Sequence, residues 1–436
     1  MSVRNAEGQI AFINARLLDP ATGLDAVGGL IIDGEVIAAV GPHLSKSQIP
    51  ATVPVVDCDG LCLAPGLVDM RVQVREPGEE HKETLRSAAE SAVAGGVTSM
   101  VCLPNTEPVI DDVATVEFVA RRARLNGLAK VYPYAAATKN LEGKELSEMG
   151  MLAEAGALGF TDGTKAIRSA LSMRRALSYA ATFGAMIIQH PEDPSLAEGG
   201  VMHEGEIATR MGLSGIPAIA EAIMLERDMR LVELTGGRYH AAHVSTAEGL
   251  EVIRKAKAKG LRVTCDTAPP YFALNELAVG DYRTFAKLSP PLRSESDRQA
   301  VVAALVDGTI DVVASDHAPQ DQDSKRLPFA QAESGGVGLE TLLAVTLELY
   351  HNAHLSLLDT LSLVTNKPAE LLGLAAGRLK PGNAADLILF DPSRGWKVQP
   401  DTFRSKSKNS PFDGRLLQGT VERTLVDGRT VYSRHA

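Results

Sequence analysis

The sequence predicts an α/β fold: a (β/α)8 TIM-like barrel over residues 64–376, with a small β-rich domain formed by both chain ends, 1–63 and 377–436. Three observations predict it. Short apolar runs alternate with helical stretches through the middle of the chain. Both ends are instead rich in strand-like runs broken by Gly, Asp and Pro. Polar residues recur where the apolar runs stop, as in a barrel whose chemistry sits at the C-terminal ends of its strands.

The elements follow in order. IAFINARLLDP, GGLIIDGEVIAAVG and TVPVVDCDGLCLAP read as strands and turns. From residue 64 the pattern changes to GLVDMRVQV then HKETLRSAAESAVAGG, TSMVCLP then DDVATVEFVARRARLNG, and KVYPYAAAT then ELSEMGMLAEAG. ALGFTD, AMIIQH, RYHAAHVS, RVTCDTAP and DVVASDHAP continue it. Repeated βα units over roughly 300 residues point to a parallel barrel. A Rossmann-type sheet is the competing reading, lowered because no G-x-G-x-x-G follows a strand. After residue 377 the β-rich style returns in GRLKPGNAADLILFDP and GTVERTLVDGRTVYS.

Composition narrows the function classes. The chain is 45% hydrophobic over 436 residues, ample for a large core. Its formal charge of −10 argues against nucleic-acid or anionic-membrane binding. No apolar run approaches the ~18 residues of a membrane span. The N-terminus has no signal-peptide core, and Cys58, Cys62, Cys102 and Cys265 read as free thiols, so a cytoplasmic location is expected.

Several polar residues fall at strand ends: Arg71, Gln73 and Arg75, then Asn105, Asp162, His190, His240, His243, Asp316 and His317. A single buried histidine is more often a satisfied core residue than a ligand. Recurrence around the barrel argues otherwise for the set. Side chains alternate along a strand, so 71, 73 and 75 share a face, while His240 and His243 take opposite faces. His243 is expected at the centre and His240 in a structural role.

These motifs resemble a known family. APGLVDMRVQVREPGEEHKET resembles the bacterial dihydroorotase signature, and the resemblance continues through LPNTEPV, GFTDG, QHPEDPSL, HEGEI, HVSTAEGL, SPPLR, SDHAP and GRLKPGNAADLILFD, from about residue 10 to 432. It implies an amidohydrolase-type barrel with zinc at its mouth, interconverting dihydroorotate and N-carbamoyl-aspartate in pyrimidine biosynthesis. Zinc would polarise the amide carbonyl and lower the pKa of bound water. By the same resemblance, His190, His243 and Asp316 fall on metal ligands, Asp316 also moving the proton, and Arg75 and Asn105 on groups that hold the substrate carboxylate. Other family positions are changed. Arg71 and Gln73 replace two histidines, Gly163 a bridging carboxylate, Ser289 a substrate-contacting Asn and Gln320 a substrate-contacting His.

A guanidinium has donors only. At about 4 Å and an effective dielectric near 20 it repels a divalent ion by several kcal/mol. Arg71 is therefore expected to replace the metal electrostatically and to pair with Asp316. No zinc, or zinc weakly held by His190, His243 and Asp316, is expected; a carboxylated Lys165 is the other conceivable bridge. The resemblance to silent family members implies a non-catalytic protein in a homo- or hetero-oligomer, supporting aspartate carbamoyltransferase as a structural or regulatory subunit. An active dihydroorotase with a reduced zinc site, or a hydantoinase or allantoinase relative, is the competing reading.

Overall fold

Eight short parallel strands form the barrel in the computed structural model, which describes residues 8–435. The first seven positions of the N-terminal reading, and Ala436, lie outside the described residues. The strands are β1 (Leu67–Val72), β2 (Val97–Cys102), β3 (Lys130–Pro133), β4 (Phe160–Thr161), β5 (Met186–Gln189), β6 (Arg238–Ala241), β7 (Val263–Thr267) and β8 (Val312–Val313). β1–β3 make one ladder and β4–β8 another. Two bridges close the cylinder, Ala135 to Phe160 on one seam and Val72 to His317 on the other. β1, β2 and β5 are buried on both faces. That is why they read as continuous apolar runs rather than as alternating ones.

Local sequence sets the surrounding helices. Thr84, Asp112, Ser169, Thr246 and Ser294 cap helices at Leu85–Ala94, Val113–Asn126, Ala170–Ala181, Ala247–Ala258 and Glu295–Val306. Each accepts a backbone N–H that the helix cannot satisfy itself, a cap worth about 1 kcal/mol. Met70, Val101, Tyr134, Ile188 and Val312 belong to a buried cluster contributed by the barrel strands. A filled barrel leaves its mouth as the place for a site.

Both chain ends join one eight-stranded sheet. Leu387–Lys397 pairs antiparallel with Cys62–Pro65, which runs parallel to Gln9–Asp19. The sequence boundary at 63/64 thus falls inside a strand. A second difference is larger. Residues 398–415 leave this sheet and lie along the barrel, because their polar groups find buried partners there. Arg404 N–H and Ser405 N–H donate to Glu340 Oε1 at 2.7 and 3.2 Å, and Ser91 Oγ donates to the same oxygen at 3.0 Å.

The four cysteines are free and buried. Burial pushes the Cys58 and Cys62 thiols up to about 11, so neither is a ready nucleophile near neutral pH. Among the described residues no helix is long and apolar enough to cross a membrane.

Glu340 makes the strapped segment pH-sensitive. Burial pushes its carboxyl up to about 7, against the hydrogen bonds it accepts. A folded-state value above the unfolded one means that the contribution of Glu340 to stability is fully present below about pH 4.5 and is lost as pH rises towards 7. Glu340→Gln keeps the accepting oxygen and removes the titration. The stability difference between native protein and variant should fall by about 2 kcal/mol from pH 4.5 to 7, allowing for partial exposure. Urea denaturation at both pH values measures it, and an equal difference at both would contradict the assignment.

Candidate active site at the barrel mouth

The β1–β8 seam builds the centre of the site. Gln73 N–H donates to His317 O at 2.8 Å across it. This register sets Arg71 beside Asp316, with Nε 2.8 Å from Oδ1 and the Arg71 side chain 2% exposed. Arg71 Nη2 also lies 3.4 Å from Gly163 O, and Nη1 is buried without a partner. Asp316 Oδ2 is 3.1 Å from His243 Nδ1. His243 Nε2 is 2.8 Å from His190 Nδ1. His190 Nε2 in turn lies 3.6 Å from Glu192, whose other oxygen is 4.0 Å from Arg293. A chain of polar groups therefore runs from Arg71 to Arg293.

Protonation follows from burial and neighbours. Burial, reinforced by the Arg71 charge, lowers His243 to about 4. Its imidazole is neutral near pH 7. Burial opposes ionisation of Asp316, but the neighbouring His243 and Arg71 outweigh it and hold the carboxyl well below its usual range. A neutral His243 beside a carboxylate donates from Nδ1, which leaves Nε2 to accept from His190 Nδ1–H. His240 plays a different part. It bonds Thr264 and Asp266, and Asp266 accepts the His243 backbone N–H at 2.6 Å.

A cavity of about 450 Å³ opens over this chain. Gln73, Arg75, Asn105, Ser289 and Gln320 line it together with His243 and Asp316. Asn105 Nδ2 donates to Gln73 Oε1 at 3.2 Å, which leaves the Gln73 amide N–H groups available. Arg75, His243 and Asp316 all adopt left-handed backbone, with φ of 61°, 40° and 49°. Such conformations cost about 1–3 kcal/mol each in non-glycine residues and concentrate at functional sites.

Sequence reasoning missed part of the wall. Glu79 takes Arg75 Nη1 at 2.8 Å and Lys82 Nζ at 2.5 Å. The spacing of Arg75, Glu79 and Lys82 was a visible signal for that cluster. Glu333 also lines the cavity, from a loop without a sequence signal.

The residues present do not fit a zinc centre. Among the described residues, no three His, Cys, Asp or Glu side chains gather as a metal-binding group. His243 Nε2 is committed to His190, and one Asp316 oxygen to a guanidinium. Asp162 turns away to Thr138, accepting its N–H at 2.9 Å and its hydroxyl at 2.6 Å. Gly163, where a carboxylate was sought, has φ +69°, and a Cβ there would stand 3.2 Å from Asn105 Cβ. Lys165 is exposed, so it has no buried seat as a carboxylated bridge.

Breaking the central pair should be costly, because it strands a mostly buried carboxylate. Arg71→Met keeps length and removes the charge. It should lower stability by about 3 kcal/mol, the low end for a buried pair, since Asp316 retains His243 and 15% exposure. Urea unfolding measures this, and a loss under about 1 kcal/mol would contradict the pairing's importance.

Comparison with known proteins identifies the family. A family model described as Dihydro-orotase-like matches residues 60–249, and one described as Amidohydrolase family matches 339–432. A protein of Anaplasma phagocytophilum (strain HZ) named Dihydroorotase is 46% identical, covering 98% of this chain and 96% of its own. Another so named, from Syntrophus aciditrophicus (strain SB), is 44% identical over 97% and 99%. Among solved structures, the L-hydantoinase (dihydropyrimidinase) from Arthrobacter aurescens aligns with a TM-score of 0.86 at 26% identity, covering 98% of this chain and 96% of that one. Such likeness to full-length proteins named as enzymes overturns the expectation of a non-catalytic subunit supporting aspartate carbamoyltransferase. That expectation equated replaced metal ligands with lost chemistry, whereas the replacements form an ordered, charged site beneath a formed cavity. By its length-wide identity to these relatives, the chain belongs to the dihydroorotase family of amidohydrolases.

Proposed function

We propose that this chain is a dihydroorotase, opening and closing the cyclic amide between dihydroorotate and N-carbamoyl-aspartate at the barrel mouth. The observation that carries the reading is 44–46% identity, over nearly the whole chain, to proteins named Dihydroorotase. The cavity supports it, since about 450 Å³ accommodates a ligand of this size.

The chain's own residues suit the parts of the reaction. Arg75 and Asn105 offer N–H donors to the substrate carboxylate. The free amide N–H groups of Gln73 can donate to the oxygen that becomes negative as water adds to the ring carbonyl. Asp316, kept ionised, takes a proton from that water and returns it to the ring nitrogen as the C–N bond breaks. His243 orients the carboxylate through Nδ1–H. Ring closure runs the same steps backwards. Zinc is at most weakly held in this reading, because Arg71 already supplies a positive charge beside Asp316.

A spectrophotometric assay of dihydroorotate hydrolysis and of N-carbamoyl-aspartate cyclisation tests the proposal. Turnover in both directions is expected, unchanged after chelator treatment and reduced about 100-fold or more in Asp316→Asn. Native turnover no higher than that of the variant would refute the reading. Activity restored only by added zinc would refute its metal-poor form.

A further inference from the structure

Residues 398–415 run as a strap between two strands of the small sheet, Leu387–Lys397 and Leu416–Val426. Several of their contacts reach the active-site wall or the segment beside it. Glu83, 0% exposed, accepts from Ser405 Oγ and from Lys406 N–H at 3.1 Å. Ser407 Oγ donates to Lys82 O at 2.7 Å. Asn409 is 2% exposed and has its whole amide engaged. Nδ2 donates to Ala318 O at 3.3 Å and to Gly335 O at 2.9 Å, while Oδ1 accepts Gln320 N–H at 3.2 Å. Pro411 sits so close to Gly336 that a Cβ there would lie 2.9 Å from it. Lys82, Ala318, Gln320, Gly335 and Gly336 all line the active-site cavity. The strap thus holds the wall at each of them.

We propose that Asn409 is a positioning residue for the active site: from the C-terminal strap, one amide fixes the two wall segments 318–320 and 335–337 at their working separation. The side chain suits the task. A primary amide carries two donors and an acceptor, and here it meets two carbonyls and one N–H. Val337 N–H donates to Asn409 O at 3.1 Å and ties the strap to segment 335–337 through the backbone as well. Gln320 depends on this support. Its Nε2 donates to Ser334 O at 2.8 Å, and its Oε1 is buried without a partner beside the cavity. Removing the Asn409 amide leaves three buried backbone groups unpaired and loosens both segments, which are then joined only by bonds such as Ala318 N–H to Gly336 O at 2.8 Å. The shape of the substrate seat should suffer more than the groups that carry the chemical step, because Asp316 and His243 are held from other elements.

The kinetic arm of the test rests on the dihydroorotase reading, and the exchange arm does not. Asn409→Ala is compared with Tyr239→Phe, which loses a buried 2.9 Å hydrogen bond to Asp228 on a barrel-packing helix away from the cavity. In Asn409→Ala, hydrogen exchange at the Gln320 amide should quicken about tenfold beyond the control. KM for dihydroorotate should rise about tenfold with kcat changed less than about threefold. Should that variant not fold, Asn409→Asp keeps the volume and removes both donors. Exchange at 318–320 and 335–337 no faster than in the control would overturn the proposal. So would kinetic constants that move no more than in Tyr239→Phe. Absence of native turnover would defeat the dihydroorotase reading, and the exchange result would then decide the role of Asn409 alone.

Discussion

The barrel has to close between its first and last strands, and what stands at that seam constrains everything around it. The Val72–His317 bridge fixes the register and brings Arg71 to within 2.8 Å of Asp316. A buried ion pair adds little net stability over a well-packed apolar alternative, yet losing one partner is expensive. Position 71 therefore governs its neighbours. With the guanidinium present, one Asp316 oxygen is occupied and the other turns to His243. With His243 neutral and donating to that oxygen, its second nitrogen accepts from His190. One substitution on the first strand thereby orders a chain of groups drawn from four strand ends.

The same constraint explains how the site departs from the pattern that its motifs imply. A metal centre needs free lone pairs aimed at one point. Here the imidazoles are aimed at each other, with ring centroids 4.9 Å apart in an edge-to-face arrangement. Asp162 is spent on Thr138, and Gly163 makes room for Asn105. The seat above these groups is mixed in charge. Arg75 and Lys82 share Glu79 on the wall. In the proposed reaction a substrate carboxylate would compete with Glu79 for Arg75, so binding would depend on how firmly the wall holds these groups in place.

Much of this was legible in the sequence for identifiable reasons. Barrel strands announce themselves as apolar runs because both faces are buried. Strand ends located Arg71, His190, His243 and Asp316 because function in this fold gathers there. Alternation along a strand separated His243 from His240. Two things were not legible. Residues 398–415 look like part of a β-rich tail, and nothing local says that Asn409 contacts Gln320, 89 positions away. The functional consequence of the replaced ligands was also misread, since motif positions record which groups are missing and not what the new side chains build together.

The most direct test is diffraction at the zinc absorption edge from crystals grown with zinc at millimolar concentration. The account predicts no anomalous peak among Asp316, His243 and His190, and a guanidinium in contact with Asp316. A peak bound by those three side chains, with Arg71 swung away from the carboxylate, would contradict it.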